Sequence, residues 1–374
     1  MEKIKVILVA GARPNFMKIA PIMEEMSKYP EHFETTLVHT GQHYDEKMSK
    51  LFFQDLEIPE PNIYLGVGSG SHAEQTAKIM ILFEKVLIEK KPDLVIVVGD
   101  VNSTIACALT AAKLNIKIAH VEAGLRSFDR TMPEEINRIL TDAISNYLFI
   151  TEESAMRNLL NEGIAKEKIY FVGNVMIDTL LKNKSKADKS DILEKLELKA
   201  KSYALVTLHR PSNVDDPKQL QGIYKTLCEI SIKLPVIFPV HPRTRKALDN
   251  LSIRYPLTAN CSLQLIEPLG YLDFLKLMSE ARVVLTDSGG MQEETTILKV
   301  PCLTIRENTE RPVTIDMGTN ILIGDDLTRV IKEFNNILED KYKNSQTPQL
   351  WDGIAATRII EILVDSFAKK SVYV

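Results

Sequence analysis

Short apolar runs rich in valine and isoleucine alternate with longer amphipathic segments along almost the whole chain. The runs have the length of strands, and their fully apolar character is typical of parallel sheets that are covered by helices on both faces. The predicted strands are Ile4–Val9, Thr35–Thr40, Leu94–Val98, Ile116–Val121, Tyr147–Ile150, Ile169–Val172, Tyr203–Leu208, Val236–Val240, Leu263–Ile266, Val283–Thr286, Pro301–Ile305 and Ile321–Ile323.

The pattern predicts two doubly wound, Rossmann-like α/β domains of similar size. A chain of 374 residues is long for a single core, so two domains are expected. Residues 182–201 are dense in Lys, Asp and Glu and poor in large apolar side chains, as in a surface crossover. We place the domains at residues 1–172 and 173–353, followed by an amphipathic helix over Ile354–Phe367. Ligands of such domains bind at the carboxyl ends of the strands, and a cleft between two of them suits a substrate with two halves, such as a nucleotide and a sugar.

Composition excludes several classes of protein. A formal net charge of −4 argues against a general nucleic-acid binder. No apolar run approaches the roughly 18 residues of a membrane helix, and the first residues enter a strand with no signal-peptide pattern. The four scattered cysteines contain no C-x-x-C pair, which predicts reduced thiols rather than disulfides or zinc ligands. These features fit a cytoplasmic enzyme.

The most informative segment runs from His120 to Arg126 and is followed by a second charged stretch that Pro133 opens. An apolar strand ends at Glu122, and Pro133 begins an amphipathic helix that carries Arg138. Carboxylates beside arginines at a strand end predict proton transfer on an anionic substrate. A salt-bridged helix start explains the same residues, because acids are favourable in a first helical turn.

Two further strand ends in the first half carry polar groups. Gly11 permits a tight turn after the first strand, Arg13 can fork onto a phosphate, and a helix beginning near Phe16 offers free N–H groups. An ordinary turn with a solvated arginine is the alternative. Asp100 follows the strand Leu94–Val98. It is either a helix N-cap or a carboxylate beside Glu122, because the two strands end at the same sheet edge.

Histidines end two strands of the second half. His209 and Arg210 follow one strand, and His241 follows the next. A histidine at such a position can contact a leaving phosphate or shuttle a proton, although a lone histidine is more often structural. For His241, a simple turn before the helix opened by Pro242 is equally compatible.

The segment Thr286–Glu294 is the strongest motif of the second half. Ser288, Gly289 and Gly290 lie between a strand and a helix, where glycines let a diphosphate approach the backbone and the helix N-terminus favours negative charge. Glu294 can then accept hydrogen bonds from ribose hydroxyls. The alternative is an N-cap by Asp287 or Ser288. The segment from Glu307 to Pro312 either closes the site or forms a surface loop.

The common cofactor and metal signatures do not occur in the sequence. The first turn matches neither G-x-G-x-x-G nor a P-loop. No His, Cys, Asp and Glu cluster has metal-ligand spacing, and the motifs contain no Ser-His-Asp arrangement. We therefore expect a mechanism without a metal and without a cofactor.

Taken together, these motifs resemble the non-hydrolysing UDP-N-acetylglucosamine 2-epimerases over nearly the whole chain. The resemblance rests on their order, which is GARPNFMKIAP, GD, HVEAGLRSFDR, MPEEINR, LHR, HPR, TDSGGMQEE and ENTERP. It implies the GT-B fold, with two Rossmann-like domains, the substrate between them, and a C-terminal helix over residues 354–374 that returns to the first domain.

The resemblance also implies an activity. UDP-N-acetylglucosamine and UDP-N-acetylmannosamine are interconverted by removal of the proton on sugar carbon 2 and elimination of UDP to give 2-acetamidoglucal. UDP then adds back with a proton on the other face. A weakly acidic C–H needs a positioned base, two faces need two proton-handling groups, and the departing diphosphate needs cations and N–H donors. The family further implies a homodimer that supplies precursors of surface polysaccharides.

Residue roles follow from the matched motifs. Asp100, Glu122 and Glu134 match the catalytic carboxylates, with base and acid unassigned among them. His209 and Arg13 match groups that contact the leaving UDP, and Lys18 matches a residue important for activity. The matched positions around nucleotide and substrate are Arg138, His241, Ser288, Gly289, Gly290, Glu294 and Arg311.

The chain departs from the family pattern in two places. The usual GTRPE is GARPN here, with Ala12 and Asn15, which predicts a different hold on the substrate. Pro211 stands where many bacterial members have a second arginine. Some relatives are activated by a second substrate molecule near Gln42, Arg210 and His241. These three match, whereas Pro211 and the loop from Gly66 to Gly70 speak against retained activation.

Four other functions compete with this interpretation. A hydrolysing epimerase would release free N-acetylmannosamine, but those enzymes usually open with a Gly-Ser-Arg turn. A GT-B glycosyltransferase needs only one base and an acceptor pocket. A non-catalytic nucleotide-sugar sensor needs none of the carboxylates. An epimerase of a related UDP-acetamido sugar is the fourth alternative, because the motifs do not specify the contacts to the sugar.

Overall fold

The computed structural model describes residues 2–41, 56–251 and 261–368. Gln42 lies outside the described residues, as does the side chain of Arg13. The chain folds as two compact units. Unit 1 comprises residues 1–182 and 349–374, and unit 2 comprises residues 183–348. Among the described residues, no helix combines the length and the apolarity that spanning a membrane requires.

Unit 1 is built on a seven-stranded sheet in which the paired strands are parallel. Its strands are β1 (Ile4–Ala10), β2 (Phe33–His39), β3 (Ile63–Tyr64), β4 (Leu94–Val98), β5 (Lys117–Ala123), β6 (Tyr147–Ile150) and β7 (Ile169–Phe171). Their order across the sheet is β3-β2-β1-β4-β5-β6-β7. The described helices are α1 (Arg13–Ser27), α2 (His72–Lys90), α3 (Asn102–Lys113), α4 (Pro133–Ile144), α5 (Glu153–Asn161) and α6 (Val175–Ala187), which crosses into unit 2.

Unit 2 repeats this architecture on a six-stranded parallel sheet. Its strands are β8 (Ala204–Thr207), β9 (Val236–Pro239), β10 (Leu263–Ile266), β11 (Val283–Thr286), β12 (Cys302–Thr304) and β13 (Asn320–Leu322). Their order is β10-β9-β8-β11-β12-β13. The helices are α7 (Ile192–Lys195), α8 (Pro211–Val214), α9 (Pro217–Lys233), α10 (Pro242–Asn250), α11 (Tyr271–Glu280), α12 (Gly289–Leu298), α13 (Pro312–Asp316) and α14 (Leu327–Leu338), followed by α15 (Ala355–Ala368) in unit 1.

Both sheets reverse their winding direction at a central strand pair. In unit 1, β1 lies between β2 and β4, and in unit 2, β8 lies between β9 and β11. Open α/β sheets bind ligands outside the carboxyl ends of the strands at such a switch point. The loops after β1, β4, β8 and β11 are therefore the places where functional side chains are expected.

The end of the chain is anchored in unit 1. Helix α15 contacts α1, and its first turn is held by the buried Asp178, whose carboxylate accepts hydrogen bonds from the N–H groups of Ala355 and Ala356. The buried Trp351 donates its indole N–H to the carbonyl of Thr151. Burial raises the pKa of Asp178 to about 6, and the two N–H donors oppose this rise.

The predicted α/β class with two doubly wound sheets is confirmed, and the differences are local. Strand β3 was missed because two residues are too short to show a hydrophobic pattern. Strand β5 continues through Glu122 to Ala123, since a bulge carries the acid within the sheet. Helix α1 begins at Arg13 rather than near Phe16, because Pro14 is well suited to the first helical turn.

Candidate active site

The turn after β1 is fixed by Asn15. Its carbonyl oxygen accepts hydrogen bonds from the N–H groups of Gly11 at 3.1 Å and Ala12 at 2.9 Å. Its amide nitrogen donates to the carbonyl of Val98 at 3.1 Å. The asparagine of GARPN, where the family usually has a glutamate, therefore stabilises the turn and connects it to the end of β4. An amide can both accept and donate, whereas an ionised glutamate can only accept.

Lys18 and Glu122 form a buried ion pair beside this turn, with 8% and 2% of their side chains exposed. Glu122 has a φ of 73° and interrupts the pairing of β5 with β6 between Val121 and Ala123. Such a bulge redirects a side chain and is frequent next to active sites. A methyl group on Gly99 would lie 3.0 Å from the Lys18 Nζ atom, so the ammonium group rests on the backbone that follows β4.

Asp100 is held by a residue of α4 and does not cap α3. Val101 occupies the N-cap position of that helix, which has no side-chain cap bond, so the helix-cap alternative for Asp100 is wrong. The Asp100 carboxylate instead accepts a hydrogen bond from Arg138, whose other terminal nitrogen donates to Glu135 at 2.8 Å. Arg138 thus links the end of β4 to the start of α4.

The first turn of α4 carries two acids with different surroundings. Glu134 is half-buried. Glu135 is buried and accepts hydrogen bonds from the N–H groups of Ser127 and Phe128, both at 2.9 Å. The salt-bridged helix start that the sequence left open therefore describes Glu135 and Arg138. It does not describe Glu122, whose cation comes from α1.

Arg126 belongs to a buried network rather than to the strand-end surface. Its guanidinium donates to Asp142 at 2.7 Å and to both oxygens of Glu162 at 2.8 and 2.6 Å. With 1% of its side chain exposed, it is not placed to contact an anionic substrate, contrary to the expectation from its position near Glu122.

In unit 2 the buried Asp287 fixes the loop after β8. Its carboxylate accepts hydrogen bonds from the N–H groups of His209 at 3.0 Å and Arg210 at 2.9 Å, and from the Asn213 amide at 3.2 Å. The His209 Nδ1 atom also lies 3.2 Å from this carboxylate, while 45% of the histidine side chain remains exposed. Asp287 is thus not a helix cap, and Ser288 occupies the cap position of α12 without a side-chain bond.

His241 and Arg210 are partly committed to local structure. The His241 Nδ1 atom accepts the N–H of Arg243 at 3.2 Å and so caps α10, while its ring centroid lies 6.1 Å from that of His209. The Nη2 atom of Arg210 lies 3.5 Å from the Oε1 atom of Glu310. Pro211 opens the short helix α8 directly after Arg210, a position where its missing N–H costs nothing.

The start of α12 has the features of an anion site. A methyl group on Gly289 would lie 2.6 Å from Nη1 of Arg311, so the guanidinium sits against the glycine backbone. Arg311 donates hydrogen bonds from Nε to the Glu293 carboxylate at 2.7 Å and from Nη1 to the Glu310 carboxylate at 3.3 Å. The first N–H groups of a helix have no intrahelical partner, and with the macrodipole they favour a bound phosphate. Gly290 lies in this first turn.

Glu294, one turn further along α12, is a buried acid. Burial, reinforced by the charge of Glu293, raises the pKa of its carboxyl to about 8, and a hydrogen bond from the Tyr271 hydroxyl opposes this rise. That hydroxyl lies 3.1 Å from the carboxyl oxygen. A carboxyl in this state can both donate to and accept from a hydroxyl.

The described residues contain no group of three or more His, Cys, Asp or Glu side chains that could hold a metal ion. What the two switch points offer is acid–base and anion-binding chemistry. Unit 1 offers carboxylates and a lysine at the ends of β4 and β5. Unit 2 offers a histidine, an arginine and a helix N-terminus.

Two doubly wound sheets with such strand-end groups define an α/β protein of the GT-B class. The profile of the family described as UDP-N-acetylglucosamine 2-epimerase matches residues 25–364. The chain belongs to this family, as its motifs predicted.

Individual relatives agree with this assignment. A UDP-N-acetylglucosamine 2-epimerase of Methanocaldococcus jannaschii is 46% identical over 96% of this chain and 98% of its own. The crystal structure of the M. jannaschii enzyme with UDP-GlcNAc and UDP matches with a TM-score of 0.89, at 46% identity over 96% of this chain and 99% of that chain. A UDP-2,3-diacetamido-2,3-dideoxy-D-glucuronate 2-epimerase of Pseudomonas aeruginosa is 39% identical over 96% of this chain and 99% of its own.

Proposed function

We propose that this protein interconverts UDP-N-acetylglucosamine and UDP-N-acetylmannosamine by eliminating UDP and adding it back. The observation that carries the proposal is the buried Glu122 on its bulge, paired with Lys18 and adjacent in the sheet to the loop of Asp100. This pair supports an enzyme that removes and returns a proton, and the family to which the chain belongs is described as UDP-N-acetylglucosamine 2-epimerase.

Proton transfer is assigned to the carboxylates of unit 1. Removal of the carbon 2 proton needs a base on one face of the sugar, and its return to the other face needs a second group. Glu122, Asp100 and Glu134 supply these groups. Lys18 and Arg138 fix the first two through their ion pairs, so both carboxylates are oriented before the substrate arrives.

Binding of UDP is assigned mainly to groups of unit 2, together with Arg13 of unit 1. The N–H groups at Gly289 and Gly290 and the guanidinium of Arg311 bind the diphosphate, where charge develops as the glycosidic bond breaks. His209, oriented by Asp287, contacts the leaving phosphate, and Glu294 binds the ribose hydroxyls. Arg13, Ser288 and His241 complete the set of binding residues.

A related UDP-acetamido sugar is the second candidate substrate, which the P. aeruginosa relative favours because its name specifies a diacetamido glucuronate. Supply of surface polysaccharide precursors in the cytoplasm by a homodimer belongs to the same proposal. Activation by a second substrate molecule would have to use Arg210, which is paired with Glu310 and followed by Pro211.

The test is proton NMR of the purified enzyme with UDP-N-acetylglucosamine in heavy water. The expected result is UDP-N-acetylmannosamine with deuterium at carbon 2 and little free UDP. Free N-acetylmannosamine with stoichiometric UDP would identify a hydrolysing enzyme instead. Absence of both turnover and exchange, together with turnover of a diacetamido sugar in a panel of UDP-sugars, would transfer the proposal to that substrate.

A further inference from the structure

His120 is a fully buried histidine that bridges two elements of unit 1. It lies on β5, two residues before Glu122, and has no exposed surface. Its Nε2 atom is 2.8 Å from the carbonyl oxygen of Gly99, and its Nδ1 atom is 2.6 Å from a carboxylate oxygen of Asp142. Because a carbonyl only accepts hydrogen bonds, Nε2 donates to Gly99, while Nδ1 lies within hydrogen-bond distance of the Asp142 carboxylate.

Asp142 extends the bridge to the other side of Glu122. Its second oxygen accepts the N–H of Gly124 at 3.0 Å and a guanidinium N–H of Arg126 at 2.7 Å. Burial acts to raise the pKa of this carboxyl, but the charges and hydrogen bonds of His120 and Arg126 outweigh it and lower the pKa. The carboxylate therefore remains ionised and keeps all of its donors.

These contacts join the three elements that carry the proposed catalytic acids. Gly99 immediately precedes Asp100, Asp142 lies about two turns after Glu134 on α4, and His120 and Gly124 flank Glu122 on either side. Glu122 has a positive φ, a conformation that persists only where the surroundings hold it. Gly124 is close-packed as well, since a methyl group there would lie 2.7 Å from the carbonyl oxygen of Ala155.

We propose that His120, through its bridge between Gly99 and Asp142, is the positioning residue that sets the geometry of Asp100 and Glu122 for proton transfer. The proposal rests on the proposed epimerase function. His120 does not touch the sugar in this scheme, and it acts through the backbone on which the two acids stand.

The expected effect of breaking the bridge is on the chemical step. A displacement of about 1 Å in a catalytic group can slow a reaction about 100-fold. Binding of UDP is assigned mainly to groups of unit 2, whereas the hydrogen bonds of the bridge lie within unit 1. Loss of the bridge should therefore lower kcat about 10- to 100-fold, with the KM for substrate and the Kd for UDP changed less than about threefold.

The experiment compares His120→Gln and Asp142→Asn with the wild-type enzyme. Glutamine donates from a single nitrogen and cannot span both acceptors, while asparagine keeps the volume of the aspartate that it replaces and loses its charge. Asp178→Asn is the matched control, because Asp178 is also a buried aspartate of unit 1 that accepts two hydrogen bonds. The measurements are kcat per folded molecule, KM, thermal stability, and the deuterium isotope effect on kcat with substrate labelled at carbon 2.

A positioning role predicts a lower kcat and a larger isotope effect in both test variants, because proton removal becomes slower than the other steps. Asp178→Asn should lower the thermal stability and leave both kcat and its isotope effect unchanged. If His120→Gln does not fold, Asp142→Asn carries the same test. The inference is overturned if kcat per folded molecule stays within about threefold of wild type, or if kcat falls with an unchanged isotope effect. An inactive wild-type enzyme would instead refute the proposed function, and the inference with it.

Discussion

The buried pair of Lys18 and Glu122 permits a prediction that separates stability from chemistry. Replacement of Lys18 by methionine leaves a buried carboxylate without its ammonium partner, and replacement of Glu122 by glutamine leaves a buried ammonium without its carboxylate. Breaking a buried pair in this way costs about 3–5 kcal/mol. Glutamine keeps a carbonyl acceptor for Lys18, so we expect Glu122→Gln to lie at the lower end of this range.

The double variant Lys18→Met with Glu122→Gln removes both charges and most of the desolvation cost. We therefore expect it to be more stable than the sum of the single changes predicts, with a coupling of about 2–3 kcal/mol between the two positions. At roughly 2–4 °C per kcal/mol for a unit of this size, the double variant should melt about 4–12 °C above the temperature that additive losses would give. The free energy of unfolding of the wild type, the two single variants and the double variant, measured by heat and by urea, completes the double-mutant cycle.

Turnover should not follow stability in this cycle. Glu122→Gln should lower kcat by about a thousandfold or more, because general acid–base groups contribute about 10²–10⁴, and it should leave UDP affinity within threefold by calorimetry. The double variant should lose less stability than the two single losses add up to, and it should remain inactive. Strict additivity of the stability losses would refute the assignment of a buried ion pair. Loss of UDP affinity in Glu122→Gln would identify Glu122 mainly as a binding group.

Three further predictions concern unit 2. Glu294→Gln mimics the protonated carboxyl. Because burial holds the pKa of Glu294 near 8, above its ordinary value of 4.5, the folded state retains a proton that the unfolded chain releases. The stability of the wild-type protein relative to this variant should fall as the pH rises from 4.5 to about 8, and urea titrations that run parallel over this range would contradict the burial of the charge. Gly289→Ala should weaken UDP binding about tenfold in calorimetry, since the new methyl group displaces Arg311, and unchanged affinity would place the diphosphate elsewhere. Asp287→Asn should lower kcat more than it raises KM by loosening the loop of His209, and a change in KM alone would assign the loop to binding only.

The architecture was largely predictable from the sequence because it depends on hydrophobic periodicity. Fully apolar runs such as Leu94–Val98 are buried strands in the structure, and their position between amphipathic helices leaves a parallel sheet as the natural arrangement. Strand β3 had no such signal. The bulge at Glu122 was hidden for a different reason, since an acid at the end of an apolar run is indistinguishable in sequence from the first residue of a loop.

The candidate site was predictable in its location and less so in its pairings. Strand ends with charged residues indicated where Asp100 and Glu122 lie. Their partners, Arg138 and Lys18, depend on which helices pack beside those ends, and sequence spacing carries no information on contacts of that kind. His120 was missed as well. It stands within an apolar run as any core histidine would, and only the distances to Gly99 and Asp142 reveal its bridge.

At each of the two switch points, one polar side chain forms hydrogen bonds to the backbone at the end of another strand. The side chain is an amide in unit 1 and a carboxylate in unit 2. In unit 1, Asn15 reaches from the first turn of α1 to the end of strand β4. In unit 2, Asp287 reaches from the loop after β11 to the loop after the adjacent strand β8. Each side chain forms hydrogen bonds with backbone groups that would otherwise have no partner, because neighbouring parallel strands diverge there. The neutral amide stands beside the Lys18 pair and adds no charge to the proposed acid–base centre, whereas the Asp287 carboxylate lies 3.2 Å from the Nδ1 atom of His209 and orients that ring.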